Sequence, residues 1–80
     1  MDYQQLWEQL ETLLETALER EQSRLPAGSV SDIRHFIDHR EYGLAWDELA
    51  AALSELNLTP SEHTKAAMQQ AASLMYPEGR

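Results

Sequence analysis

His35 and His39 stand four residues apart, and Asp32 lies three positions before the first of them. On a helix this spacing places all three on one face, where two imidazoles and a carboxylate could reach one metal ion. The HExxH pattern of zinc hydrolases needs a glutamate directly after its first histidine, and here that position is Phe36. At about 100° per residue, the face set by Val30, Ile33 and Ile37 leaves both histidines on the solvent side. Nothing in the sequence supplies the outer partners that orient ligating histidines. Exposed imidazoles without a metal are the expectation.

Other chemistries find less support. Serine, histidine and aspartate all occur, but no serine sits on a strand-to-helix elbow. No glycine-rich loop offers an oxyanion hole or a phosphate cradle, since Gly28 stands alone. Carboxylates are abundant, yet an 80-residue helical chain rarely encloses a substrate-sized pocket. No catalytic residue and no cofactor are expected.

The acids read better as a surface. Glu8, Glu11, Glu15 and Glu19 follow one flank of an N-terminal helical pattern. Glu11–Glu15 and Glu15–Glu19 are like-charge pairs four residues apart, each costing about 0.2–0.5 kcal/mol. A row left unneutralised suits a basic partner, and equally a solvated face. Asp38, Glu41, Asp47 and Glu48 form a second acidic group around residue 43. Tyr42 among them is an amphipathic ring at a corner, either packed over it or exposed as an anchor for a protein partner. Trp7 and Trp46 lie within apolar stripes and are expected in the core.

Fourteen acidic against six basic residues give a net charge of −8. That field argues against nucleic acid as a direct ligand, because phosphate contacts need Lys and Arg. It suits solubility and speeds encounter with a basic partner. The absence of cysteine excludes disulfides, thiolate nucleophiles and Cys-type zinc sites, and fits a reducing compartment. "MDYQQLWEQL" opens with an acid and lacks the basic start of a secretory signal. No apolar run approaches the roughly 20 residues of a membrane span. A soluble cytoplasmic domain, free of membrane, is expected.

These side chains need helices to position them. Tyr3, Leu6, Trp7, Leu10, Leu13, Leu14, Ala17 and Leu18 recur at steps of three and four, predicting a helix over about residues 3–21 with Asp2 as its cap. Pro26 and Gly28 then break the chain. Ser29 is the expected cap of a second helix over about 30–42, buried through Val30, Ile33, Phe36 and Ile37. Gly43 is expected to end it in a left-handed conformation, so that Gly43→Val would damage folding. A third helix over about 44–57 turns Ala45, Trp46, Leu49, Ala52, Leu53 and Leu56 inward. Thr59, Pro60 and Glu62 predict a capping box and a fourth helix over about 60–75, burying Ala67, Ala71, Leu74 and Met75. Residues 76–80 form a tail. The fold class is all-α: one compact bundle of four helices with short connections, helix 1 long enough to lie across the others.

The run Phe36-Ile37-Asp38-His39-Arg40-Glu41-Tyr42-Gly43-Leu44-Ala45, followed by Asp47 and Leu49, resembles the Maf-type (MafI) immunity proteins of bacterial polymorphic toxin systems. Specific matching covers roughly 15 of the 80 residues, the remainder agreeing in helical pattern. Trp46 and Asp47 stand where that family usually carries an aliphatic residue and Glu. The resemblance implies a small helical protein that binds and neutralises a cognate toxin. Charge alone adds that such a toxin has a basic surface, as a nuclease would. Phe36, Ile37, Glu41, Gly43, Leu44 and Ala45 then set the scaffold, while Glu8, Glu11, Glu15, Glu19, Asp38, Tyr42, Asp47 and Glu48 are the candidate contacts. The rival expectation is a self-associating helical module, such as a homodimer pairing its helix 1 stripe.

Overall fold

The computed structural model describes residues 3–76. Four α-helices follow one another: α1 Tyr3–Glu21, α2 Ala27–Asp38, α3 Tyr42–Glu55 and α4 Glu62–Met75. There is no strand among the described residues. The predicted Asp2 cap and most of the predicted tail lie outside them. The radius of gyration is 11.9 Å, against about 11.6 Å for an ordinary domain of this length. The four helices therefore close on themselves.

α1 has the expected bounds because its stripe is long and unambiguous. Leu10, Leu14, Ala17 and Leu18 are buried, and Leu6 and Leu13 pack at the margin. α1 packs most widely on α4, and α2 on α3, while α3 and α4 touch only slightly. α4 gives α1 a slim face of Thr64, Ala67, Met68 and Ala71, whereas Leu74 and Met75 are only partly buried. Across the thin α3–α4 contact, the Trp46 indole N–H donates to the Met68 carbonyl at 2.8 Å. Among the described residues no helix is long and apolar enough to cross a membrane.

The helix ends depart from expectation, and the reasons are local. α1 runs into a 3₁₀ turn at Gln22–Arg24. α2 then starts at Ala27, with Pro26 as its cap residue, so Ser29 sits inside the first turn instead of capping it. Gly28 does not break the helix, and a Cβ there would meet nothing within 4 Å. α2 ends four residues earlier than predicted. Arg40, at φ 59°, takes the left-handed position assigned to Gly43. The Arg40 N–H bonds the Ile37 carbonyl at 3.0 Å, and the Glu41 N–H bonds the Phe36 carbonyl at 2.8 Å. That pair is a Schellman turn, which satisfies the last free carbonyls of α2 without a glycine. Asn57, at φ 54°, repeats the arrangement after α3, with bonds from Asn57 to Ser54 and from Leu58 to Leu53. Gly43 is left as the second residue of α3, not a terminator.

α4 begins two residues later than predicted. Its cap is Ser61, whose Oγ accepts the Thr64 N–H at 3.2 Å; Thr59 and Pro60 lie outside the helix. In a capping box the residue at Thr64's position would be an acid that accepts the cap residue's own N–H. Here Glu21 of α1 takes that role from another helix, accepting the Ser61 N–H at 3.1 Å.

Candidate partner-binding face

The predicted acidic row is present along α1. Glu8, Glu11 and Glu19 are exposed, and Glu15 is half-buried where α1 meets α2. Burial pushes the Glu15 carboxyl above the usual carboxylate range. Glu11 and Glu19 add to the shift, Arg34 opposes it, and Asp38 adds again. The fold thus brings Asp38, from the last turn of α2, to the row on α1. Asp47 goes elsewhere: with Trp46, Ala72 and Tyr76 it lines an open cleft of about 320 Å³ between α3 and α4. Glu48 is half-buried, and Glu41 is exposed with no side-chain bond to the start of α3. The second acidic group is therefore split between two faces.

Tyr42 is not an exposed anchor. It is 5% exposed and belongs to the core, because it opens α3 at the same spacing that buries Ala45, Leu49 and Ala52. Its hydroxyl is buried, and Glu11 is the acceptor beside it. Burial pushes the phenol above its usual range; the Glu11 charge adds to this, Arg40 opposes it, and a hydrogen bond to Glu11 and the Glu15 charge add further. Of the other residues in the resemblance, Ile37 and Ala45 are buried, and Phe36 packs against the core. Leu44 points outward, 48% exposed.

The cations of this region are engaged away from the acids. The Arg34 Nη2 donates to the Gln22 Oε1 at 3.2 Å. The Arg40 guanidinium lies 5.0 Å over the ring of Trp7, a cation–π contact on a face expected to be core. Trp7 is 37% exposed, with Tyr3 tilted against it at 6.4 Å between ring centres. Among the described residues the ion pairs are Arg24–Glu21 and Lys65–Glu62, neither of them on the acidic row.

His35 and His39 are exposed, as their register predicted. Their rings stack with centres 4.1 Å apart, and the His39 Nδ1 is 2.8 Å from the His35 carbonyl. A carbonyl only accepts, so this contact requires the proton on Nδ1. Among the described residues no three His, Asp or Glu side chains converge to hold a metal ion, Asp32 included.

One acid escaped the sequence reading. Glu21 is 1% exposed. Its Oε1 accepts both the Arg24 Nε at 3.0 Å and the Arg24 Nη2. Its Oε2 accepts the Thr64 hydroxyl at 2.6 Å and the Ser61 N–H. The Arg24 Nη2 also donates to the Thr59 carbonyl at 3.0 Å, tying the 3₁₀ turn to the segment before α4. Burial alone would push the Glu21 carboxyl up. The Thr64 bond, the Arg24 bond, the Ser61 N–H and the Arg24 charge outweigh it and hold the group below the usual range. A signal was available, because Glu21 continues the stripe Leu14, Ala17, Leu18 at a step of three.

The chain was compared with known proteins. No family model matches it, and neither a curated protein nor a solved structure does.

Proposed function

We propose that this chain is a non-enzymatic immunity protein of the bacterial cytoplasm, which binds a toxin domain with a basic surface and blocks it by exclusion. One observation carries the reading. Glu11, Glu19 and Asp38 all act on the Glu15 carboxyl, and among the described residues none of the four is in an ion pair, although Arg34 lies near enough to act on Glu15. Like charges held together in a free protein are unfavourable, and a cationic partner relieves them. The net charge of −8 supports the same reading, since steering by opposite charge raises association rates to about 10⁸–10⁹ M⁻¹s⁻¹ at low salt. The resemblance of Phe36–Ala45 to the MafI immunity proteins adds the identity of the partner class.

The test is co-expression with the large protein encoded immediately upstream. Alone, that protein should arrest growth; with this chain, growth should return and a one-to-one complex should co-purify. Reversing Glu11, Glu15 and Glu19 to Lys should slow association at low salt by at least tenfold with the fold intact. A harmless neighbour, or toxicity this chain fails to relieve, overturns the reading. A homodimer of this chain with no affinity for the neighbour would favour a self-associating module.

A further inference from the structure

The cleft between α3 and α4 combines two aromatic rings with a carboxylate, and neither the core nor the acidic row on α1 explains it. Trp46, Asp47, Ala72 and Tyr76 line about 320 Å³ of open space, at the low end of the range of about 300–1,000 Å³ for small-molecule sites. An open recess of this size seats one side chain presented from outside; it does not enclose a substrate. Its walls are held in place. The Trp46 indole N–H is tied to the Met68 carbonyl on α4 at 2.8 Å. The Tyr76 N–H bonds the Ala72 carbonyl at 2.8 Å, which seats the tyrosine at the end of α4. A Cβ at Gly43 would stand 3.9 Å from the Tyr76 hydroxyl, so this ring reaches over the first turn of α3. Asp47 is exposed and, among the described residues, in no ion pair. It lies past the first turn of α3, so the helix dipole does not explain it either.

We propose that this cleft receives one arginine side chain of a protein partner, its guanidinium against the Trp46 and Tyr76 rings and its N–H fork on the Asp47 carboxylate. The inference deepens the proposed function and rests on it for the identity of that partner. The chemistry of the walls selects the occupant. An apolar side chain would cover Asp47 and leave its charge without a partner, which is costly. An anion meets the same carboxylate within a net charge of −8. A second copy of this chain brings that charge again and approaches against it. A guanidinium suits both kinds of wall, since its flat faces stack on aromatic rings while its N–H edge donates to a carboxylate. The chain shows half of this chemistry within itself: Arg40 lies 5.0 Å over the Trp7 ring, with Tyr3 beside it. The acidic regions then act at different stages. The row on α1 steers the encounter from a distance, and the α3–α4 cleft grips the docked partner and slows its release.

The probe is the blocked peptide acetyl-Gly-Arg-Gly-amide, added at low salt to the full chain. NMR is read at the Trp46 and Tyr76 rings and at the side-chain carboxyl carbons. The citrulline twin is the uncharged control, and acetyl-Gly-Leu-Gly-amide the apolar one. The arginine peptide should move Trp46, Asp47 and Tyr76 along one saturable curve, and Glu8, Glu55 and Glu62 far less; the two controls should move none of them. Asp47→Asn keeps the shape at an exposed position, so the melting temperature should hold while binding weakens about tenfold, the loss expected for a hydrogen bond to a charged group. Tyr76→Leu should weaken binding about threefold through the lost ring. No saturable shift, shifts spread evenly over all exposed acids, or unchanged affinity in Asp47→Asn would each overturn the arginine site. A leucine peptide that binds as well as the arginine one would do the same. Trp46 shifts that follow the concentration of the chain alone would give the cleft to a second copy and overturn it too. The two readings fail separately. A toxin complex whose dissociation rate is unaffected by Asp47→Asn sinks the cleft and keeps immunity. Selective peptide binding beside a harmless upstream neighbour keeps the cleft and sinks immunity.

Discussion

Glu15 and Glu21 lie on one helix, six residues apart, and their carboxyls move in opposite directions. Glu21 is the more buried of the two, yet its ionised form is the favoured one. Both of its oxygens are filled by donors from the 3₁₀ turn, the α4 cap and Thr64. Glu15 is only half-buried, and it meets Glu11, Glu19 and Asp38 with Arg34 as the sole opposing charge. Burial pushes both carboxyls up; only the donors and the arginine around Glu21 reverse the sign. Thr64 completes the Glu21 site, donating to Glu21 and accepting from Ser61. One region is completed by the fold, and the other leaves like charges facing one another.

The largest expected effect comes from breaking the completed region. Glu21→Ala strands the Ser61 N–H, the Thr64 hydroxyl and Arg24 together. Arg24 is 41% exposed, so water takes over part of its loss. The remaining groups should cost about 3 kcal/mol at neutral pH, from a total of about 4–12 kcal/mol for a chain of this length. Urea unfolding checks it, and a loss under about 1 kcal/mol would deny the network any part in holding α1 to α4. The pH dependence follows from the direction of the shift. The folded pKa of Glu21 lies below the unfolded value. Its contribution is therefore complete above the unfolded value and disappears as pH falls through the folded one. The gap between the parent and Glu21→Ala should close in acid.

Glu15→Gln should act in the opposite sense and more weakly. It removes two like-charge pairs on α1 and the cost of half-burying a charge, and should raise stability by about 1 kcal/mol at pH 7. The folded pKa of Glu15 is raised, so the parent has its full share of stability below the unfolded value, here 4.5, and loses it as pH rises through the folded one. The advantage of Glu15→Gln therefore appears on raising the pH and vanishes in acid. The two variants approach the parent from opposite sides as the solution is acidified. If Glu15→Gln is neutral or destabilising at pH 7, the row is adequately solvated, and the contrast with Glu21 reduces to exposure.

The sequence made the four helices legible, and their ends much less so. α1 was readable to the residue because eight apolar positions agree on one period. The α2–α3 corner was misplaced because Gly43 is the residue most suited to a left-handed turn, while the chain uses Arg40. A positive φ on arginine costs about 1–2 kcal/mol locally and leaves no mark in composition. Starting α3 at Leu44 then detached Tyr42 from the stripe of Ala45, Leu49 and Ala52 that buries it. Glu21 was overlooked for a different reason: an acid at a helix end looks solvated until its partners, 40 and 43 residues away, are in place. The α1 row was legible from spacing alone. Its union with Asp38 and Tyr42 was not, because that depends on how three helices meet.

Gly43→Ala gives the smallest expected change and checks the geometry beneath the comparison. Gly43 lies in the first turn of α3, and a Cβ there would meet the Tyr76 hydroxyl at an ordinary 3.9 Å. Alanine reduces the freedom of the unfolded chain and favours the helix, so stability should rise by about 0.5 kcal/mol. The gain should be independent of pH, since no charge is touched. Damage from this substitution would restore the left-handed turn to residue 43 and move the start of α3 past Tyr42. The tyrosine would then leave the face that buries it. A pH-independent gain keeps Tyr42 in the first turn of α3, buried with its hydroxyl beside Glu11.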